Sequence, residues 1–263
     1  MPIGRCVEAI IFPTTVPFDF QPINYFCSKK YRGKVWKSVD LFTIVVSLQP
    51  VLARKWQDRT SRILNLMPSL YIISGCNGAG KTTASLTVLP ETLQCKEFVN
   101  CDEIAKGLSP LNPDGAKVAA GRLMLSRIKK LIADKADFAI ETTLAAKSYH
   151  ALIKKAREEG YKASLIYFWL QSPDLAIQRV AERVKHGGHH VDDSIIRRRY
   201  KAGIKNLFNL YCPVVDYFLF IDNSIMPSEV IAEGNIKSIK FYNEEKFKKI
   251  RQYDNSNSEC QEE

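Results

Sequence analysis

The chain has 263 residues, of which 46% are hydrophobic and 25% are charged, and this composition is typical of a globular protein rather than a disordered one. Its seven cysteines are odd in number and lack the paired spacing of a metal site, so we expect reduced thiols and a cytoplasmic protein. The longest apolar run, residues 41–52, is shorter than the roughly 20 residues that a membrane-spanning helix needs. Composition therefore argues against an integral membrane protein.

The net charge is +10, but the excess lies mainly in the N-terminal quarter of the chain. Residues 1–67 carry 10 Lys and Arg against 4 Asp and Glu, whereas residues 68–263 carry 28 against 24. A nucleic-acid-binding domain usually clusters its basic side chains on one face of its organised part. The distribution therefore disfavours nucleic acid as a partner.

The first 67 residues differ in organisation from the rest. Prolines interrupt every candidate element there before it reaches a useful length. We predict that residues 1–67 are a poorly organised extension, with Met67 as the hypothetical natural initiator. An organised domain is expected over residues 68–242, followed by a charged tail over residues 243–263.

Strand and helix patterns alternate from residue 68 onward. Short apolar runs predict strands over residues 70–74, 97–100, 138–140, 163–170 and 217–221, with a weak strand near residue 239. Amphipathic patterns predict helices over residues 81–89, 114–135, 148–159, 173–186 and 193–210. This alternation predicts an α/β fold of three layers, with a central, mostly parallel sheet of five to six strands.

The first predicted strand runs directly into a phosphate-binding motif. Residues 75–82 read Gly-Cys-Asn-Gly-Ala-Gly-Lys-Thr, which satisfies G-x-x-x-x-G-K-[ST] between a strand and a helix. The motif predicts that Lys81 reaches the outer phosphates of ATP or GTP and that Thr82 offers a hydroxyl to Mg²⁺. The predicted nucleotide-binding residues are Gly75, Asn77, Gly78, Ala79, Gly80, Lys81, Thr82 and Thr83.

Polar residues follow two further predicted strands. Asp102 ends the second strand, where a carboxylate can accept the proton of an attacking hydroxyl, although it also fits the N-cap of a following helix. Glu141 and Thr143 follow the third strand, at the edge where ligands bind in parallel sheets. We expect Glu141 to hold Mg²⁺ through water or to bind a substrate hydroxyl.

A basic segment with a double glycine joins the helices predicted before and after residue 187. Arg183 and Arg197 lie on either side of Gly187 and Gly188, which predicts a mobile helical lid that brings guanidinium groups to the transferred phosphate. A solvated pair of basic helices is the alternative. The three histidines in this segment do not predict zinc, since no cysteine pair or carboxylate lies at ligand spacing.

Two cysteines lie where chemistry is expected. Cys76 is inside the phosphate-binding motif, and Cys101 precedes Asp102. Thiols near Lys81 and a helix N-terminus are candidates for a depressed pKa and high reactivity. The interpretation that we favour is that both are small, partly buried side chains.

These pieces resemble the zeta-toxin-like family of small P-loop kinases over residues 68–224. The matching segments are residues 75–83, 99–102, 141–143, the 183–199 lid, and Asp222-Asn-Ser224. The resemblance implies that Lys81 and Thr82 bind ATP with Mg²⁺ and that Asp102 is the base. It also implies that Arg183, with Arg197 or Arg198, clamps the γ-phosphate.

The best-known members phosphorylate UDP-N-acetylglucosamine on a sugar hydroxyl and are held inactive by a small antitoxin protein. The resemblance therefore implies a hydroxyl-bearing small-molecule acceptor and a small antitoxin partner. This sequence departs from the toxins at Ala145, where they carry an arginine that helps to hold the substrate.

Three functions stay open at this point. The first is a small-molecule kinase, with a UDP-sugar as the leading acceptor. The second is a kinase of nucleic-acid 5′-hydroxyls, which the absence of an aromatic and basic stripe disfavours. The third is a nucleotide-binding regulator without an acceptor.

Overall fold

The computed structural model describes residues 67–255. The strands are Ser69–Gly75 (β1), Glu97–Val99 (β2), Phe138–Thr142 (β3), Lys162–Trp169 (β4), Tyr217–Asp222 (β5), Glu229–Asn235 (β6) and Ser238–Phe241 (β7). The α-helices are Lys81–Thr87 (α1), Cys101–Leu108 (α2), Lys117–Ala133 (α3), Ser148–Glu158 (α4), Pro173–Lys185 (α5), Asp193–Asn206 (α6) and Glu244–Asn255 (α7). The predicted extension, residues 1–67, lies outside the described residues apart from Met67.

The strands form one sheet in the order β2-β3-β1-β4-β5-β6-β7. The first five strands in this order are parallel, and β6 and β7 continue the sheet antiparallel. β1 lies between β3 and β4, with Ile72 opposite both Ile140 and Leu165. The carboxyl ends of β1, β2 and β3 therefore meet at one edge of the sheet, where the predicted polar residues follow.

The sheet is the centre of the core. Every residue of β1 and of β5 is buried, as expected for parallel strands covered on both faces. The helix α3 buries Met124, Ile128 and Leu131 on one face, at the spacing of helical turns. The predicted α/β fold with a mostly parallel sheet is confirmed. Within residues 67–255, no helix is both long and apolar enough to cross a lipid bilayer.

Among residues 67–255 the sheet has seven strands, rather than the predicted five to six. The strand that the prediction missed is β6, which has buried Val230, Ile231 and Ala232 but polar ends. Its apolar run is too short to stand out from a loop, and pairing with β5 supplies the order that the local sequence does not specify.

The prediction that residues 243–263 form only a charged tail is wrong as far as Asn255. Residues 244–255 form α7, which packs on α6 and β6. Most of its side chains are charged, so the helix was not evident from composition. Phe247 and Ile250 are buried, and the Phe247 ring stacks on Phe220 of β5 with a centroid distance of 5.7 Å.

Candidate active site

The phosphate-binding motif forms a loop between the end of β1 and the start of α1. Gly80 caps the helix with a φ of 82°, a left-handed conformation that glycine adopts without strain. The Lys81 side chain is only 7% exposed, and its ammonium donates a hydrogen bond of 2.9 Å to the Cys76 carbonyl oxygen. The loop therefore holds a fixed positive charge at its centre.

The turn after β5 supports this loop from behind. The amide of Asn223 donates a hydrogen bond of 2.9 Å to the Ala79 carbonyl oxygen. A Cβ atom on Gly80 would lie 2.6 Å from the same amide nitrogen, so a glycine is needed for this approach. Ser228 in turn donates to the Asn223 side-chain oxygen at 2.5 Å. The loop conformation thus depends on a residue in a distant part of the chain.

A cavity of about 810 Å³ opens in front of the loop, a volume typical of ligand sites. The loop and helix residues that line it are Asn77, Gly78, Gly80, Lys81, Thr82 and Thr83. The other two residues of the motif, Gly75 and Ala79, are buried and do not line the cavity. The predicted nucleotide-binding set is therefore gathered in one place, with two of its members as supports.

Glu141, at the end of β3, contacts the phosphate-binding loop directly. Its carboxylate accepts hydrogen bonds of 2.8 Å from the Thr82 hydroxyl and from the Asn100 amide. The Lys81 ammonium lies 3.7 Å from its second oxygen. A hydroxyl and a carboxylate in contact are the hard oxygen ligands that Mg²⁺ prefers. The residues present therefore fit a magnesium ion beside Thr82.

Asn100, rather than Asp102, caps the helix that follows β2. Its side-chain oxygen accepts hydrogen bonds from the backbone N–H groups of Asp102 at 2.9 Å and Glu103 at 3.4 Å. The capping alternative for Asp102 is therefore wrong. Asp102 lines the cavity, and its carboxylate has no hydrogen-bond or ion-pair partner among residues 67–255. It is a free carboxylate in the first turn of α2.

The loop that follows β3 forms another wall of the cavity. Thr143, Ala145 and Ala146 line it. The buried amide of Asn206 fixes this loop by donating to the carbonyl oxygens of Leu144 at 2.8 Å and Ala145 at 3.2 Å. The wall beyond Thr143 therefore consists of two small side chains on a backbone that Asn206 holds.

Four arginines from α5 and α6 line the cavity, namely Arg179, Arg183, Arg198 and Arg199. Arg183 donates a hydrogen bond of 2.8 Å to the carbonyl oxygen of His189, in the segment between the two helices. Arg199 lies 3.4 Å from the side-chain oxygen of Asn77 in the phosphate-binding loop. The two helices thus bring guanidinium groups to the cavity, as the lid prediction expected.

The sequence around this cavity matches the model of a known protein family. Residues 53–211, more than half of the chain, match the family model described as Zeta toxin. The chain belongs to the zeta toxin family. This membership confirms the resemblance inferred from the sequence, and it supports a P-loop phosphotransferase as the class of activity.

Similar proteins include one curated relative and two solved structures. An uncharacterized protein of Haemophilus influenzae is 31% identical over 126 residues, which are 48% of this chain and 88% of the relative. The complex of AvrRxo1-ORF1 and ORF2 with ATP matches with a TM-score of 0.57 and 16% identity, over 80% of this chain and 69% of that one. A structure from the PezAT toxin-antitoxin system of Streptococcus pneumoniae matches with a TM-score of 0.50 and 15% identity, over 81% and 97%. At these identities the two structures show a shared fold.

The two arginines predicted for the lid of this zeta toxin family member, Arg183 and Arg197, have different surroundings in the structure. Arg183 lines the cavity, but Arg197 does not. Arg197 is half exposed and pairs with Asp174 at 2.5 Å on the outer side of the helices. Of the two arginines that the resemblance left open, the structure favours Arg198, which lines the cavity, and the role of Arg197 stays a prediction.

The structure favours the interpretation of the two cysteines as small, partly buried side chains over that of reactive thiols. Cys76 is 3% exposed, and burial raises the pKa of its thiol to about 11 in spite of the nearby Lys81 charge. Burial, followed by the charge of Asp102, raises the pKa of Cys101 above its usual value. Both side chains are protonated at neutral pH and act as small packing groups.

Three residues of the site lie in segments that the sequence analysis marked, but they were given no role of their own. Asn100 holds both Glu141 and α2, Arg179 lines the cavity, and Asn223 supports the phosphate-binding loop. The capping role of Asn100 could have been predicted from sequence, since asparagine is a preferred N-cap residue and an acidic first turn follows it. The roles of Arg179 and Asn223 depend on contacts with distant segments, so their places in the lid stretch and in the segment 222–224 did not define what they contact.

Proposed function

We propose that the protein is a kinase that transfers the γ-phosphate of ATP to a hydroxyl of a small molecule. The observation that carries this proposal is the free carboxylate of Asp102, which lies in the same cavity as Lys81 and Thr82. A nucleotide switch needs the phosphate-binding loop but has no use for an unpaired carboxylate beside it. A kinase needs such a group to take the proton of the acceptor.

The roles of the side chains follow from their positions. Lys81 places positive charge on the outer phosphates, and Arg183 and Arg198 offset the charge that shifts toward the β–γ bridging oxygen. Asp102 accepts the proton as the acceptor oxygen bonds to the γ-phosphorus and the bond to ADP breaks. Mg²⁺, when bound beside Thr82 and Glu141, neutralises charge on the phosphate oxygens.

A labelling experiment tests the proposal. We expect the full chain, given ATP labelled at the γ-phosphate and a metabolite extract, to transfer label to a small molecule. Replacing the extract by a 5′-hydroxyl oligonucleotide tests the nucleic-acid kinase alternative in the same assay. Release of labelled inorganic phosphate alone, with every acceptor, would contradict the proposal.

The leading acceptor class is a nucleotide sugar such as a UDP-sugar. Seven Lys and Arg side chains line the cavity against three Asp and Glu, which suits two anionic ligands, ATP and an acceptor that carries phosphate. Of the two roles predicted for Glu141, its contact with the Thr82 hydroxyl favours holding Mg²⁺ over binding the acceptor. Thr143 lines the cavity and is still proposed to contact the acceptor. At Ala145 the cavity wall lacks the arginine that the toxins have at this position.

The two predicted lid arginines give a matched pair of variants. We expect Arg183→Ala to lower the rate of label transfer by roughly 10- to 100-fold while ATP affinity changes far less, because its charge matters most as the phosphoryl group moves. Arg197→Ala removes an exposed arginine of the same lid and leaves the rate unchanged. Steady-state rates and ATP titrations check both. Equal losses of rate and affinity in Arg183→Ala would assign it to ground-state binding.

We also propose a small antitoxin protein as a partner. This proposal is supported by the membership of the zeta toxin family and by the likeness to a structure from a system named toxin-antitoxin. Arrest of bacterial growth by the wild-type chain, but not by its Asp102→Asn variant, would support a toxin. Unaffected growth with both chains would argue against it.

A further inference from the structure

The C-terminal helix α7 supplies a cation to a buried carboxylate at the end of β5. The Lys246 ammonium lies 2.7 Å from Asp222 and 2.6 Å from Glu229. The Asp222 side chain is 3% exposed, so its charge depends on the protein rather than on water. Asn243 donates to Glu229 at 2.8 Å and accepts the backbone N–H of Lys246 at 3.1 Å, which fixes the start of the helix.

Asp222 also contacts the turn that follows it, residues 223 and 224. One of its oxygens accepts the backbone N–H of Ser224 at 2.8 Å. The carbonyl oxygen of Ser224 accepts a hydrogen bond of 3.0 Å from Arg179, which lines the cavity. The Ser224 hydroxyl accepts the backbone N–H of Gln171 at 2.8 Å, at the entrance to α5. The turn is therefore tied to the helix that carries Arg179.

The same turn holds the phosphate-binding loop. Asn223, between Asp222 and Ser224, donates to the Ala79 carbonyl oxygen. A displacement of the turn would move both the loop and Arg179, the two groups on this side of the cavity. The Asn223 N–H also anchors this turn, by donating to the Trp169 carbonyl oxygen at 2.9 Å. Lys246 adds the partner of the buried Asp222 charge, which would otherwise lie in the turn uncompensated.

Packing of α7 does not require this ion pair. The helix is anchored by Phe247 and Ile250, which are buried against the sheet and α6. A second lysine of the helix, Lys248, pairs with Glu244 at 2.9 Å, but its side chain is 68% exposed and contributes little. Lys246 therefore pairs with a buried carboxylate beside the site, whereas Lys248 forms an ion pair at the surface.

We propose that Lys246 is a positioning residue for nucleotide binding, which acts through Asp222 on the Asn223 and Ser224 contacts to the phosphate-binding loop and Arg179. The inference rests on the proposed function in assuming that this cavity binds ATP. It extends the site to a helix that does not line the cavity.

The test compares four variants of the full chain by calorimetric titration with ATP and Mg²⁺, and by thermal unfolding without ligand. We expect Lys246→Met to weaken ATP binding about three- to tenfold, the scale of one or two lost hydrogen bonds. Lys248→Met is the matched control and keeps wild-type affinity. Lys246→Arg restores most of the affinity, since guanidinium can bridge the same two carboxylates.

The double variant Lys246→Met, Asp222→Asn separates positioning from stability. The amide that replaces the Asp222 carboxylate keeps an acceptor for the Ser224 N–H without a buried charge, so we expect the double variant to bind ATP more tightly than Lys246→Met alone. Lys246→Met with a lower Tm but the affinity of Lys248→Met would overturn the inference and leave Lys246 as a structural residue. Absence of ATP binding by the wild type would overturn the proposed function with it.

Discussion

Loss of ATP binding is the expected result of Lys81→Ala. The ammonium is nearly buried, is held by the Cys76 carbonyl oxygen and lies 3.7 Å from Glu141, so it is a fixed charge at the centre of the loop. In the proposed function ATP brings its phosphates to this point, and no other lysine of the described chain lies within residues 75–82. We expect affinity to fall at least about 100-fold and label transfer to become undetectable, as is typical when a main phosphate contact is lost.

Titration with ATP and Mg²⁺, followed by the labelling assay, measures both effects. Lys130→Ala is the matched control, because Lys130 is an exposed lysine paired with Asp134 on α3. We expect it to bind and turn over ATP as the wild type does. Unchanged ATP affinity in a folded Lys81→Ala protein would remove the nucleotide from this loop.

The phosphate-binding loop and Asp102 could be placed from sequence because both follow strands. A motif of fixed spacing identifies the loop, and the carboxyl ends of neighbouring parallel strands share one edge. The order β2-β3-β1 then brings Asn100, Glu141 and Lys81 together although they lie far apart in the chain. Local pattern and sheet topology were sufficient for this half of the site.

The arginines could not be assigned in the same way. Successive residues of a helix point about 100° apart, so the choice between Arg197 and Arg198 depends on which face of α6 packs inward. That face is defined by Ile196, Tyr200 and Ile204, which are buried. The sequence of 197–199, three arginines in a row, carries no information on which of them faces the cavity.

The helix α7 was missed for a different reason. Its twelve residues offer Phe247, Ile250 and Tyr253 as a sparse apolar stripe among charges. Such a stripe is weak evidence for a helix in isolation, since most helical stability in proteins comes from tertiary packing. The aromatic cluster of Phe208, Phe220 and Phe247 supplies that packing, and it is assembled from three distant segments.

Asp102 and Glu141 both line the cavity, and the structure gives these two carboxylates different surroundings. Glu141 is engaged on both oxygens, by the Thr82 hydroxyl, the Asn100 amide and the Lys81 charge. A carboxylate with these partners is occupied in holding the loop and the metal side of the site. Asp102 is free of such contacts, so it is the group able to receive a proton from an acceptor hydroxyl.

Asp102→Asn should therefore abolish transfer and spare nucleotide binding. The amide keeps the shape of the side chain and cannot accept a proton, and general-base help is worth about 10²- to 10⁴-fold in rate. Because Asn100 provides the cap of α2, the variant loses no capping bond and its Tm stays close to that of the wild type. Asp134→Asn makes the same change at an exposed carboxylate that pairs with Lys130 and does not line the cavity, so it is the matched control with nearly normal transfer.

The measurement is the rate of label transfer to the acceptor that the wild type modifies, beside ATP titration and thermal unfolding. Glu141→Gln should show the opposite pattern from Asp102→Asn, with weakened binding of ATP in the presence of Mg²⁺, because it alters the group that contacts Thr82. A folded Asp102→Asn protein within about threefold of the wild-type rate would exclude Asp102 as the base, since so small a loss lies far below the general-base range. The proton would then have to pass to Glu141 or to solvent, and the free carboxylate in the cavity would have another purpose.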